Sequence, residues 1–498
     1  MKRSKHALSH TKLLSCDMGE LIPCGLTEVL PGDTLQQATN AFLRCSPLLA
    51  PVMHPVHVSL HHWFVPHRLV WEDWEDFITG GPDGMDASTF PTINILGAST
   101  GVTGQLPDYL GVPPGLDLEV SALPFRGYAL IWNEWYRDQD LDTPLTIDFT
   151  EGADTTTNVA LQNVSWQKDY FTSSRPWEQK GPAVTVPIGT EAPVLGIGAE
   201  DQNFNNANVS VYETDATGSR VYADSRNSAE NQAAGRFRME EDPNNPGFPN
   251  IRADLSNASA VTVNVLREAL ALQRYEEARA RYGSRYIEYL RYLGVRSSDA
   301  RLDRPEYLGG GKQTIQFSEV LQTAEGTDPV GELRGHGINA TRSNRYRKFF
   351  EEHGYIFSMI SVRPITIYAQ SLNRTWNRRT KEDFWQKELQ HIGQQEILNK
   401  EVYAAHTTPD GVFGYQDRYD EYRRSESSVA GEFRDSTLNF WHLARTFASD
   451  PALNASFVNC NPTERIFAVP SQDVLYIMAR HSIQVRRLIS KVGTSYTF

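Results

Sequence analysis

Residues 20–75 consist of short apolar runs separated by turn signals. The run ELIPCGLTEVLPGDTL contains the turn-forming triplets PCG and PGD, and such spacing is typical of strands in an antiparallel sheet. The next segment, VHVSLHHWF, alternates in polarity and places one set of residues on a common face: Val56, Val58, Leu60 and His62. This alternation predicts a strand with one half-buried face.

A helical period appears in only a few places. Trp71, Trp74 and Phe77 recur at three-residue spacing, which predicts a short helical turn. The stretch FRGYALIWNEWYRDQD (125–140) predicts a longer helix that buries its tryptophans and leaves Arg126 in solvent.

Two further stretches complete the pattern. Residues 260–293 form the clearest helical region, which Gly283 is expected to interrupt, and GYIFSMISVRPITIYAQ (354–370) is apolar enough to be a buried strand. Many short strands separated by loops, with few helices between them, predict a mainly β fold. We expect a β-sandwich or jelly roll with long insertions.

Charge is unevenly distributed along the chain. The net charge of −13 over 498 residues excludes a histone-like cationic coat. Residues 1–15 nevertheless form a basic N-terminal arm without an acidic residue, carrying Lys2, Arg3, Lys5 and Lys12. Residues 196–250 contain nine acidic residues against four arginines and are rich in Asn, Ser and Gly. Such a segment buries little apolar surface, which predicts a polar surface insertion.

The cysteines and the apolar runs indicate where the protein resides. The four cysteines are scattered and form no CxxC pair, so we do not predict a disulfide framework. A reducing compartment suits such thiols. No apolar run of signal-peptide type follows the basic N-terminus, and no segment reaches the 18 or more apolar residues of a membrane helix. We therefore expect no membrane insertion.

Five histidines between residues 54 and 67 are candidates for a metal centre. His57 and His61 share a strand face, but four extended residues separate them by about 13 Å, so they cannot bind one ion directly. We interpret these histidines as packing groups, with a zinc-dependent hydrolase as the alternative.

The glycine-rich run YLGGGKQTIQ (307–316) is a candidate phosphate loop. Its match fails because Glu306 and Gln313 occupy positions that require glycine and a hydroxyl residue. The run therefore predicts a flexible turn. No hydrolase or dinucleotide-binding motif occurs, so we do not expect an enzyme. A glycosidase stays open as an alternative, because its two carboxylates need be close only in space.

Three clusters are rich in cations: residues 342–348 around Tyr346, residues 374–381 around Trp376, and residues 480–491, which contain three arginines and a lysine. Single-stranded nucleic acid is bound by cations along its backbone and by flat rings on which its bases stack. The alternative for each cluster is a solvated surface whose cations pair with nearby acidic residues.

Several phrases occur in an order that resembles the major capsid proteins of the Microviridae, small phages with single-stranded DNA, and among them the gokushovirus-like branch. They cover most of the chain from about residue 15 to residue 470: HVSLHHWFVPHRLVWEDWEDFITGG, LPFRGYALIWNEWYRDQ, DYFTSSRPWEQKGPAVTVPIG, ARYGSRYIEYLRYLGVRSSDARLDRPEYLGGG, EEHGYIFSMISVRP, VFGYQDRYDEYRRSESSVAGEFRD and LNFWHLA.

The resemblance implies an eight-stranded antiparallel jelly roll of the viral capsid type, with long inserted loops and a few helices, forming one discontinuous domain over residues 1–498. It implies a structural protein of the virion that self-assembles in the bacterial host cytoplasm into a T=1 icosahedral shell around a circular single-stranded DNA genome. Residues 196–250 would form a protrusion at the threefold axes.

The resemblance also implies partners and sites. The partners would be further copies of the chain, the genome, a small basic DNA-binding virion protein, scaffolding and pilot proteins, and a host receptor. No cofactor is expected, and no motif places a divalent cation. The DNA-facing candidates are Lys2, Arg3, Lys5, Arg374, Trp376, Arg378, Arg379, Arg486 and Arg487. The subunit-interface candidates are Trp71, Trp74, Gly309, Gly310 and Gly311, and the host-contact candidates are Phe204, Tyr212 and Tyr222. A carbohydrate-binding β-sandwich adhesin is the alternative function.

Overall fold

The computed structural model describes residues 3–184, 263–282, 285–295, 298, 303–323 and 330–491, together with the backbone of four strands between residues 194 and 253. The chain divides into two compact units. The first comprises Met1–Lys180 and Glu276–Phe498, and the second comprises Gly181–Tyr275. The predicted insertion at 196–250 falls largely outside the described residues.

The strands, in chain order, are β1 (Ser4–Ala7), β2 (His10–Cys16), β3 (Ile22–Val29), β4 (Thr34–Cys45), β5 (Val56–Pro66), β6 (Thr92–Ile95), β7 (Leu118–Ser121), β8 (Ala153–Asp154), β9 (Val194–Leu195), β10 (Gln202–Tyr212), β11 (Ser219–Asn227), β12 (Arg252–Ala253), β13 (Glu306–Thr314), β14 (Gln316–Leu321), β15 (Leu333–Arg342), β16 (Tyr346–Phe349), β17 (Gly354–Pro364), β18 (Gln394–Leu398), β19 (Val412–Asp417) and β20 (Leu475–Arg487). The α-helices are α1 (Trp74–Thr79), α2 (Leu106–Leu110), α3 (Leu123–Trp135), α4 (Val263–Tyr282), α5 (Tyr286–Tyr292), α6 (Asn399–Val402) and α7 (Ala455–Val458).

Two antiparallel sheets form the body of the first unit. The seven-stranded sheet has the order β1-β20-β4-β15-β14, with β2 also paired to β20 and β16 to β4. The four-stranded sheet has the order β13-β5-β17-β3. The mainly β, antiparallel jelly-roll architecture predicted from the sequence is confirmed. No helix in the described ranges is long and apolar enough to cross a membrane.

The core between the two sheets is apolar at both ends. One end joins residues of both sheets, including Ile22, Val58, Leu60, Leu43 and Ile477. The other end is built around Val29, Leu35, Phe64, Ile356 and Ile483. Burial of these alternating side chains is the main stabilising contribution that the strand pattern encodes.

A buried polar band crosses the core beside these clusters. The His62 ring bridges the hydroxyls of Ser358 (2.9 Å) and Ser343 (3.1 Å). The ring of His481 bonds the Thr39 hydroxyl at 2.8 Å and a backbone carbonyl of β3 at 2.9 Å. Because each ring nitrogen has a partner, these imidazoles can be buried without a large unsatisfied-group penalty.

The four-stranded sheet is covered on its second face by α3. Trp63 and Phe357 of the sheet pack in one cluster with Phe125 and Trp132 of the helix. The strand predicted at VHVSLHHWF is therefore confirmed, but its half-buried face is wrong, because β5 is buried on both sides over most of its length. The buried strand predicted at 354–370 is confirmed as β17.

The helix predicted at 125–140 is confirmed as α3, but the prediction that Arg126 is solvated is wrong. Its side chain is fully buried and pairs with Asp154, with an Nε to Oδ2 distance of 2.9 Å. The guanidinium also donates to the carbonyls of Val70 and Thr150. A local helix pattern could not reveal this partner, since Asp154 lies beyond the end of the helix.

The flexible turn predicted at Gly309, Gly310 and Gly311 is also wrong. These residues belong to β13, which pairs with β5 across an irregularity between Tyr307 and Gly309. A Cβ atom on Gly310 would lie 2.3 Å from the Leu60 carbonyl oxygen. The glycines therefore permit close approach of neighbouring backbone segments.

Candidate nucleic-acid interface

The outer face of the seven-stranded sheet is the strongest candidate for a functional surface. Along β20, buried and exposed residues alternate from end to end. Ile477, Ala479 and Ile483 point into the core, while Met478 and Arg480 point outward. The same alternation in β4 and β15 continues this outer face across the sheet.

The strand register places the outward side chains in rows. Asn40 of β4 lies between Arg342 of β15 and Arg480 of β20. Since neighbouring strands lie about 4.8 Å apart, the backbones of these two arginines are separated by roughly 10 Å. The next outward row centres on Phe42, which lies between Ala340 and Met478. Cationic and apolar rows therefore alternate along the face.

A second cationic row lies at the other end of β20. Lys5 of β1 is opposite Arg486, and Arg486 is opposite Thr34 of β4. Arg3 approaches the Phe349 ring at 5.5 Å and donates to the Thr34 hydroxyl. The basic N-terminal arm and the C-terminal basic cluster thus meet on one surface, as the sequence could not show.

The outward positions of these described strands carry cations but no acidic residue: Lys5, Arg44, Arg334, Arg342, Arg347, Arg480 and Arg486. We name this surface the basic face. In the described part of the chain, Arg342, Arg347, Arg480 and Arg486 form no ion pair with a carboxylate. A chain with a net charge of −13 therefore keeps acidic residues out of these outward strand positions. The carboxylate of Glu332, which precedes β15, does pair with Arg334 at 2.8 Å.

Exposed apolar groups lie among these cations. Phe42, Tyr476 and Phe349 are each more than a third exposed, and the Arg44 guanidinium lies 5.4 Å from the Phe42 ring centroid. Rings beside unneutralised guanidinium groups can stack with bases while the cations contact phosphates. The geometry therefore suits a flexible polyanion with flat aromatic groups.

The cluster around Trp376 differs from the basic face. Arg374 pairs with Glu401 at 3.0 Å, and Arg378 pairs with Glu421 at 3.4 Å. Burial of Glu401 raises its pKa, while the Arg374 guanidinium opposes this shift. Arg379 is exposed and donates to backbone carbonyls. The prediction that these residues face DNA stays a prediction, with much of their charge neutralised.

Other residues singled out in the sequence occupy varied places. Arg487 pairs with the buried Asp33 at 2.7 Å. Lys12 donates to the Pro23 carbonyl, and burial lowers its pKa. Lys2 and the side chains of the host-contact candidates Phe204, Tyr212 and Tyr222 lie outside the described residues. Only the backbones of those three aromatics are described, in the paired strands β10 and β11.

The subunit-interface candidates are divided between core and surface. Trp71 is fully buried among Trp74, Phe77 and Phe90, which leaves no indole surface for a neighbouring chain. Trp74 is partly exposed, and a role at an interface stays a prediction for this residue.

Sequence analysis missed Phe42, Arg44 and Tyr476 as members of the basic face. Each is an isolated residue in a strand whose other side is apolar, so no cluster marks it. The signal was the alternation in TLQQATNAFLRC (34–45), where exposed Asn40, Phe42 and Arg44 separate buried residues.

Comparison with known proteins agrees with this architecture. Residues 1–497 match the family model described as "Capsid protein (F protein)". The chain is 37% identical to capsid protein VP1 of Bdellovibrio phage phiMH2K, over 91% of this chain and 87% of the relative. It is 32% identical to capsid protein VP1 of Chlamydia phage 1, with 95% and 92% coverage, and 31% identical to that of Spiroplasma virus 4, with 95% and 90% coverage.

Proposed function

The chain belongs to the phage capsid protein (F protein) family and is a structural protein of a Microviridae-type capsid; on that premise we propose that its basic face lines the interior of a T=1 icosahedral shell and contacts a circular single-stranded DNA genome. The single observation that carries this proposal is the absence of acidic residues from the outward positions of the described strands of that face. The family does not favour the adhesin alternative.

Electrostatics supports this orientation of the subunit. An acidic shell repels a polyanion except where its lining is locally cationic. Each arginine that contacts a phosphate releases condensed counterions from the nucleic acid, and this release makes binding favourable at low salt. Arg342, Arg480 and Arg486 supply such charge without ion-pair partners in the described structure, whereas Arg374 and Arg378 already contact carboxylates.

The proposal also covers assembly of the shell, its partner proteins and contact with the host. A chain of this family self-assembles into a shell, and closure requires several distinct contacts between identical copies. We propose that assembly takes place in the host cytoplasm with scaffolding and pilot proteins, and that a small basic virion protein neutralises further phosphate charge. The separate unit Gly181–Tyr275 contains the polar insertion and suits a protrusion that contacts the host. The protein acts without an enzymatic reaction, and no described group of acidic, histidine or cysteine residues is placed to bind a metal.

Salt-dependent binding of single-stranded DNA by the unassembled subunit tests the role of the basic face. The triple substitution Arg342→Ala, Arg480→Ala and Arg486→Ala removes three cations. With a slope near −0.7 per phosphate contact, the plot of log K against log salt should become shallower by about 2. The matched control replaces the same residues with lysine and should retain most of the slope. An unchanged slope in the alanine variant would remove these residues from the DNA interface.

A further inference from the structure

An exposed aromatic segment lies apart from the strands of the basic face. We name residues 374–392 the aromatic loop. Trp376 is 70% exposed and Trp385 is 52% exposed, and Phe384 and Ile392 are also more than half exposed. Within the described ranges, neither indole stacks on another ring or donates a hydrogen bond. Tryptophans with so few contacts in their own chain are expected where another surface covers them.

The backbone of the aromatic loop is fixed despite this exposure. The Tyr419 hydroxyl donates to the Phe384 carbonyl at 3.0 Å and accepts the Gln386 amide at 3.2 Å. Tyr419 is buried and adopts a φ of 62°, a conformation that a non-glycine residue rarely takes. The Arg378 guanidinium lies over the Tyr422 ring at 4.3 Å and near the Phe384 ring at 5.5 Å. The backbone that carries the exposed rings is therefore pre-organised, which lowers the entropy cost of contact.

The charge around these rings is balanced. Residues 379–388 are all exposed and contain three cations and three acidic residues: Arg379, Lys381, Lys387, Glu382, Asp383 and Glu388. Arg374 and Arg378 behind them are paired with Glu401 and Glu421. A polyanion requires an excess of positive charge, which this surface lacks. An aromatic centre with a mixed polar rim is instead typical of a protein–protein interface.

We propose that the aromatic loop is a contact surface between copies of this chain, with Trp376 and Trp385 as its main anchors. The occupant is a second copy because a rim with balanced charge can be complementary to an identical chain, although the whole chain has a net charge of −13. The inference rests on the proposed function, since a shell surrounds each subunit with identical neighbours. It assigns this surface to assembly and the basic face to the genome.

The first test measures assembly of Trp385→Asp. A hot-spot tryptophan contributes at least tenfold in affinity, so the concentration at which shells form should rise by at least that factor. The matched control is Met85→Asp, which places the same charge at an 81% exposed apolar residue on another loop. Circular dichroism and thermal unfolding of the subunit check the fold, and negative-stain microscopy counts particles. Shell formation at the wild-type concentration, or equal loss in both variants, would overturn the proposal.

The second test does not require assembly to fail. All four native cysteines are buried, and burial raises the pKa of the Cys24 and Cys45 thiols to about 12. A Lys387→Cys substitution therefore introduces the one readily reactive thiol. We expect fast maleimide labelling in the free subunit and labelling at least tenfold slower in shells, whether empty or filled with DNA.

Two outcomes of the labelling test count against the proposal. Equal labelling rates in shells and free subunits would show that the aromatic loop faces solvent. Protection in filled shells alone would assign the surface to the genome. Absence of any particles from the wild-type chain would instead refute the proposed function itself, which separates that failure from failure of this contact.

Discussion

Replacement of His62 by glutamine should weaken the acid sensitivity of the subunit. The His62 ring lies in the polar band between the two sheets and has no solvent exposure. Burial, together with the nearby rings of His481 and His61, lowers its pKa from 6.5 to about 3. The folded chain therefore holds the neutral imidazole over most of the acidic range.

The direction in which pH changes the stability follows from proton binding by the folded and the unfolded chain. Between pH 6.5 and pH 3 the unfolded chain binds a proton at His62 that the folded chain does not bind, so stability falls as pH is lowered. From pH 7 to pH 5 this single group removes about 2 kcal/mol, and the loss reaches about 4 kcal/mol at pH 3. Above pH 6.5 its contribution is fully present.

Urea unfolding of the unassembled subunit at pH 7 and pH 5 measures this effect. Glutamine can bond Ser343 and Ser358 but does not titrate, so His62→Gln should lose about 2 kcal/mol less than the wild type between these pH values. The control is His391→Gln, which removes an exposed imidazole. Equal pH dependence in the wild type and His62→Gln would refute the conclusion that a neutral, buried His62 makes the fold acid-sensitive.

The sequence predicted the strands best where burial alternates or is continuous. VHVSLHHWF and GYIFSMISVRP were identified because short apolar runs between turn signals are local features. The covering of β5 by α3 was not predictable, because it depends on contacts such as Trp63 with Trp135 between distant segments. The same holds for Arg126, whose carboxylate partner lies 28 residues further along the chain.

The candidate site was also predictable only in its local features and not in the contacts between distant segments. The basic clusters near residues 342 and 486 were visible in the sequence as local charge. Their union on one face was not, because Lys5, Arg44, Arg342 and Arg486 come from four strands that only the sheet register brings together. Neutralisation of Arg374 and Arg378 by glutamates was also hidden, since the acids come from α6 and from a loop after β19.

Two further substitutions test how α3 is held. Gly127→Ala should destabilise the subunit by about 1–3 kcal/mol, because the new Cβ would lie 2.7 Å from the Phe357 ring, and a melting temperature close to that of the wild type would contradict this. Arg126→Met should cost about 3–5 kcal/mol, since it leaves the Asp154 carboxylate buried without its cation. The double variant Arg126→Met with Asp154→Leu should recover much of this loss, because replacing both charges by apolar groups leaves no unpaired ion in the core. Chemical denaturation of the two single variants and the double variant measures the coupling. Additive losses would mean that Arg126 and Asp154 act independently, despite the 2.9 Å contact between them.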